Sequence, residues 1–168
     1  MEPIGKTNQA YQPRRADRDM PDRRDQLAVI AGQKILTLAM CLDNQPYLVT
    51  MDYAFDPAGN CFYVHTANAG KWLTYIRANP RVWGQVLEDL GYVPGKLTHA
   101  YRCVMFDAVA EFVEGADQKR QALAIMVDAF ETALAEVKAK ILGQGCVDQA
   151  TVVRLRVLGM SGKQNRRT

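Results

Sequence analysis

Apolar positions change their spacing several times along this chain, and each change marks an element. Leu27, Ile30 and Ala31 recur at helical spacing. Ahead of them Asp19 is the expected helix cap, Pro21 suits a first turn, and Asp22 and Asp25 favour the positive end of a helix dipole. From Ile35 the period shortens. Ile35 to Leu42 reads as a strand, Asp43 to Gln45 as a turn, and Pro46 to Phe55 as the return strand. Asp56-Pro-Ala-Gly-Asn60 has the chemistry of a second hairpin loop, and Cys61 to Thr66 pairs back. A short helix near 70–78 ends before Pro80. Arg81 to Glu88 is a strand, Asp89 to Thr98 reads as a loop with two Gly and one Pro, and His99 to Val113 is a long strand. Gln118 to about Leu142 is amphipathic, with Leu123, Met126, Val127, Phe130 and Leu134 on one face, and Gly143 ends it. Thr151 to Leu158 is the last strand; Arg154 and Arg156 alternate there with Val153, Leu155 and Val157.

Six strands joined mostly by hairpins imply an antiparallel sheet. The fold class is mainly β with flanking helices (α+β), the sheet closing into a barrel or pairing with a partner to protect its edges. Residues 1–20 read as an arm and 21–168 as a single domain, a size that allows a real core.

Composition narrows the function classes. Of 168 residues, 48% are hydrophobic and 23% charged, as in ordinary globular chains. The net charge of +3 sits mostly in a tail, so nucleic acid is not an expected partner. The polar N-terminus lacks the apolar core of a signal peptide, and no apolar run approaches the ~18 residues of a membrane span. A cytoplasmic setting is expected. Cys41, Cys61, Cys103 and Cys146 lie far apart without C-x-x-C spacing and read as reduced, mostly buried thiols, with a disulfide or a reactive thiol as the alternative.

The strand–turn–helix between Phe62 and Val82 is the main candidate for chemistry. His65 and Thr66 end a strand, small residues follow, and Gly70 and Lys71 open a helix. Free helix N–H groups, the Thr66 hydroxyl and the Lys71 ammonium together suit a phosphate; the bland alternative is a helix start with a solvated lysine. His65 is the candidate catalytic residue, whereas His99 has no such neighbourhood. Thr50, Met51 and Tyr53, on the strand that hairpins toward His65, either face a flat ring in the same cleft or simply pack. Trp72 and Trp83 belong to the core or to a subunit contact. Two widely spaced His without clustered carboxylates point to no metal site. Ser161-Gly-Lys163 lacks the upstream glycine of a P-loop. The basic C-terminal end is a solvated tail or one that folds over an anionic ligand. No nucleophile elbow and no paired acids are present, and an enzyme so equipped borrows its chemistry from a cofactor.

Several segments, in order, carry a resemblance: Arg14-Arg-Ala-Asp-Arg18, Leu38-Ala, Pro46-Tyr-Leu-Val-Thr50, Phe62-Tyr-Val-His65, Gly70-Lys71, Ile76-Arg-Ala-Asn-Pro-Arg-Val82 and Tyr101-x-Cys-Val104. The pattern resembles the pyridoxamine 5′-phosphate oxidase-like flavoproteins, and within them the nitroimidazole-resistance (nitroimidazole reductase-like) branch. It covers roughly residues 13–115 and, more loosely, the last strand with Gly162-Lys-Gln-Asn165. The resemblance implies a six-stranded split β-barrel binding FMN at a homodimer interface. It implies Gly70, Lys71 and Thr66 at the FMN phosphate, Thr50, Met51 and Tyr53 along the flavin ring, and His65 at the active site. The implied activity is reduction of a small electron-poor substrate, with NAD(P)H a candidate donor. A deazaflavin or haem on the same fold, or a non-catalytic flavin-binding protein, are the alternatives. Cys103 stands where the branch usually has serine, Asp107 where glycine is common, and the Asp89–Thr98 loop has no counterpart.

Overall fold

A computed structural model describes residues 15–166. Helix α1 (Arg23–Gly32) is capped by Asp22, whose carboxylate accepts the Arg24 N–H at 2.8 Å. The cap is therefore Asp22 rather than Asp19, and Pro21 precedes the helix. The reason is a competing contact: Asp19 bridges Lys163 and the Met20 N–H donates to the Gly162 carbonyl, which holds this stretch extended. Met20 is consequently buried, so the described end of the expected arm, residues 15–20, lies against the last strand. The rest of that arm, residues 1–14, lies outside the described residues.

Seven strands form one sheet in which every pairing is antiparallel: β1 (Ile35–Leu42), β2 (Gln45–Asp52), β3 (Ala54–Asp56), β4 (Cys61–Thr66), β5 (Arg81–Val93), β6 (Thr98–Val113) and β7 (Thr151–Asn165). Their order across the sheet is β2-β1-β5-β6-β7-β4-β3. The expected class and antiparallel topology hold, with one strand more. The extra one arises because the return strand breaks at Tyr53, whose N–H turns to the Lys34 carbonyl and whose hydroxyl donates to the Ile30 carbonyl at 2.6 Å. The two edge strands, β2 and β3, are thus consecutive and joined by this single residue. A sheet whose opposite edges are one residue apart in the chain must curl round on itself, which gives a barrel split at Tyr53.

Turn chemistry sets the hairpins. Asp43 and Asn44 both take positive φ between β1 and β2, as a two-residue hairpin demands of residues that tolerate that region. The expected 89–98 loop is instead the far end of a long β5–β6 hairpin. Asp89 accepts the Gly91 N–H, Gly91 takes a φ of 90°, and the resulting bulge absorbs the irregular composition before the strands resume. The expected final strand likewise runs on to Asn165, because Tyr101–Asp107 offers it a partner. The basic C-terminal stretch and Ser161-Gly-Lys163 therefore belong largely to a paired strand.

Helix α2 (Lys71–Ala78) buries Trp72, Leu73, Tyr75 and Ile76 against the barrel. The main core lies inside the barrel around Phe62, Phe106, Leu36, Leu38, Val86 and Leu155. The expected single long helix before β7 is three: α3 (Ala116–Phe130), α4 (Leu134–Ile141) and α5 (Gln144–Gln149). Gly143 starts α5 as well as ending the run, and the breaks let the segment fold back over the outer face of the sheet. A second small core forms there from Ala122, Leu123, Val147 and Val152 with Tyr63 and Ile141 beside it. Among the described residues no helix is long and apolar enough to cross a membrane.

Candidate functional site

Strand β4 organises the site, because successive side chains point to opposite faces. Phe62 and Val64 enter the barrel core, whereas Tyr63 packs with the second core under α3–α5. Continuing the alternation, Thr66 shares the barrel-side face and His65 the helix-side face. The cross-strand partners agree: Thr66 pairs with Thr151, and His65 with Val152 of the second core. His65 and Thr66 are adjacent in sequence yet serve different surroundings.

On the Thr66 side, the chain passes through Asn68 to the start of α2. The Thr151 hydroxyl donates to Asn68 Oδ1 at 2.8 Å and fixes that connection. Gly70 is the N-cap residue of α2 and no described side chain caps the helix; the Leu73 N–H donates to the Gly70 carbonyl, which leaves the Lys71 and Trp72 N–H groups for an external acceptor. Lys71, in the first turn, is exposed; its Nζ lies 4.7 Å from the centre of the Tyr47 ring and 5.7 Å from that of Tyr75. The two rings are themselves 5.2 Å apart. Among the described residues no carboxylate pairs with Lys71 within 4.0 Å. A charge held over aromatic faces without an anionic partner is poised for an anionic ligand. Tyr47 was not singled out from sequence; its signal is the i, i+2, i+4 row Tyr47, Val49, Met51, all half-buried against the core.

On the other side, His65 lines a cavity of about 400 Å³ together with Asp52, at the far end of β2 from Tyr47, and residues of α3–α5. Along β2 itself, Met51 leans on the core, while Thr50 points outward and lies 3.3 Å from the Thr37 hydroxyl. Tyr53 is 3% exposed, with its ring edge-on to Phe62 and its phenol pushed to a higher pKa by burial. Its ring packs in the core, and the residue also lines a separate cavity with Leu27, Ile30 and Phe55. Trp72 is buried, whereas Trp83 is 47% exposed on the outer sheet face, in one cross-strand row with Ala39 and Leu48. The two departures from the sequence pattern have structural partners. Cys103 is buried and accepts from Gln85 Nε2, and burial raises its thiol pKa; Asp107 pairs with Arg81 at 3.0 Å. Among the described residues no three of His, Cys, Asp or Glu gather where a metal could be held.

Comparison with known proteins places this geometry in context. Residues 22–164 match the family model described as pyridoxamine 5′-phosphate oxidase. No curated protein sequence matches the chain. Among solved structures, a candidate 5-nitroimidazole antibiotic resistance protein from Bacteroides thetaiotaomicron superimposes with a TM-score of 0.71 at 19% identity, over 87% of this chain and 86% of that one. A flavocytochrome from Azotobacter vinelandii gives 0.80 at 16% identity, covering 94% and 73%. The haem storage protein of Vibrio cholerae gives 0.63 at 20%, covering 86% and 96%. At these identities the likeness carries the fold alone.

Proposed function

A chain whose residues 22–164 fit that model belongs to the pyridoxamine 5′-phosphate oxidase family, and from this premise we propose that it binds FMN and acts as an oxidoreductase on a small molecule. The observation that carries the proposal is the layout of β2. Tyr47, beneath Lys71, lies near one end of the strand, and Asp52, beside His65, ends it. Five steps of extended chain separate them by about 16 Å, the scale of a whole flavin mononucleotide, phosphate and ring together, with the groups that contact it at either end.

The donor set fits that cofactor. Lys71, the free N–H groups of α2 and the Thr66 hydroxyl would hold the phosphate, while Gly70 leaves the approach to the helix start without a side chain. As an edge strand, β2 turns the backbone N–H and C=O groups of alternate residues away from β1, so one of the neighbours Thr50 and Met51 would present its pair to the edge of a ring. Tyr53 contributes only by holding the end of β2 in place. When bound, FMN would supply hydride and single-electron chemistry. His65, exposed at the cavity mouth, would orient the substrate or pass it a proton from its imidazole. The exposed Ile35, Leu48, Trp83 and Leu87 form an apolar sheet face that suits a second copy of the chain, so the active form in this proposal is a homodimer.

The test is a visible absorption spectrum of the purified protein, with and without added FMN, before and after desalting. Flavin bands that survive desalting are expected, and light scattering on the same sample should report twice the chain mass. A colourless protein that fails to retain added FMN overturns the cofactor assignment, and a haem or deazaflavin spectrum would replace it.

A further inference from the structure

The cavity under α3–α5 meets the end of β2 at Asp52 but is not needed to hold a phosphate, and it is large enough for a ligand of its own. Its volume of about 400 Å³ lies within the range of small-molecule sites. Its walls are mostly apolar, with Leu123, Met126, Phe130 and Ile141 prominent, and thioether and aromatic groups of this kind favour a planar ring. The ionisable groups that line it are two carboxylates, Asp52 and Glu131, with His65 and the Cys146 thiol. Among the described residues no lysine or arginine lines it. Of the nearby cations, Lys138 pairs with Asp128, and Lys34, which lines a different cavity, donates to the Ala129 carbonyl with its ammonium 5.3 Å from the centre of the Phe130 ring.

We propose that this cavity binds a small ring compound carrying a basic nitrogen, with the ring against Met126 and Phe130 and the cation toward Asp52 and Glu131. An anionic ring would face two like charges at the rim, and a neutral one would gain nothing from them. His65 stands at the junction between this cavity and the end of β2, so the bound molecule is also the substrate class of the proposed flavin enzyme. That last step rests on the flavin reading, whereas binding of the cation does not.

The experiment compares two probes by calorimetry on the full chain, with and without FMN: 1-naphthylmethylammonium and 1-naphthoate. The ammonium is expected to bind at least tenfold more tightly. Glu131→Lys, a change at an exposed position, should reduce or reverse that preference. In a Cys41→Ser background the remaining exposed thiol among the described cysteines is Cys146, and the ammonium should slow its alkylation several-fold. Equal affinity for the two probes, a preference that Glu131→Lys leaves intact, or unprotected Cys146 would each overturn the proposal. Cation binding in a protein that does not take up FMN would sink the flavin reading and leave the cavity's ligand class standing; the converse result would do the reverse.

Discussion

Replacing Lys71 by alanine tests the phosphate assignment in isolation. In the free protein Lys71 contributes little beyond its position over Tyr47 and Tyr75, and an exposed contact of this type is worth about 0.5–1 kcal/mol. The fold should therefore survive, with a thermal midpoint within a few degrees of the parent. Binding is a different matter. A charge-assisted hydrogen bond to a phosphate contributes about 1.5–3 kcal/mol, which converts to roughly a 10- to 150-fold loss of FMN affinity. The free N–H groups of α2 remain in the variant, so binding should weaken rather than vanish. Riboflavin, which has the same ring and no phosphate, supplies the control. Titrations of both ligands, followed by flavin fluorescence, should show the loss for FMN and almost none for riboflavin. Lys71→Arg should recover much of the affinity. Equal losses for FMN and riboflavin would mean that Lys71 supports the ring site indirectly, and an unchanged FMN affinity would remove Lys71 from the site.

Two further expectations concern the frame that holds the site. A Cβ added at Gly84 would lie 2.0 Å from Phe106 Cζ, and Phe106 is stacked on Phe62 at 4.2 Å with both rings fully buried, so it has nowhere to retreat. Gly84→Ala should cost about 3 kcal/mol or more, lowering the melting temperature by roughly 6–12 °C; a shift of under about 2 °C by calorimetry would contradict the packing argument. Hydrogen bonds from Arg156 and Arg154 hold the Glu111 carboxyl below its ordinary range. A depressed carboxylate stabilises the fold above its unfolded pKa and loses that contribution as pH falls through its folded pKa. With the arginines about half exposed, Glu111→Gln should cost only ~0.5–1 kcal/mol at neutral pH. Denaturant melts should show that gap closing as pH drops below the usual glutamate value of about 4.3, and a gap that widens on acidification would reverse the assignment.

The antiparallel class was legible because hairpin turns announce themselves locally. Asp43-Asn44 and Asp56–Asn60 carry the chemistry their turns require. What failed to show was set by distant partners. Asp89–Val93 looks like a loop until Thr98–Tyr101 lies beside it, and Gly159–Asn165 looks like a tail until β6 does. Tyr53 stays open between facing a ring and packing because nothing nearby in sequence reveals that its hydroxyl reaches the Ile30 carbonyl, 23 residues earlier. The grouping of His65 with Thr66 followed from their adjacency, and the alternation of the strand separates them. The cavity residues Asp52, Glu131 and Cys146 come from elements that meet only once α3–α5 has folded back, so no local spacing could have joined them.

That alternation along β4 has an evolutionary consequence. The strand is a wall one residue thick between two chambers, and its positions are dealt out by parity: Phe62, Val64 and Thr66 to one, Tyr63 and His65 to the other. Drift at the odd positions can reshape the apolar chamber while the barrel side, where the phosphate is proposed to sit, stays as it is, and drift at the even positions does the opposite. Under the proposed function, a lineage with this fold can therefore change what it acts on without renegotiating what it carries, provided the register holds. A slip of one residue would deliver the imidazole to the barrel side and the hydroxyl to the apolar side, undoing both chambers at once.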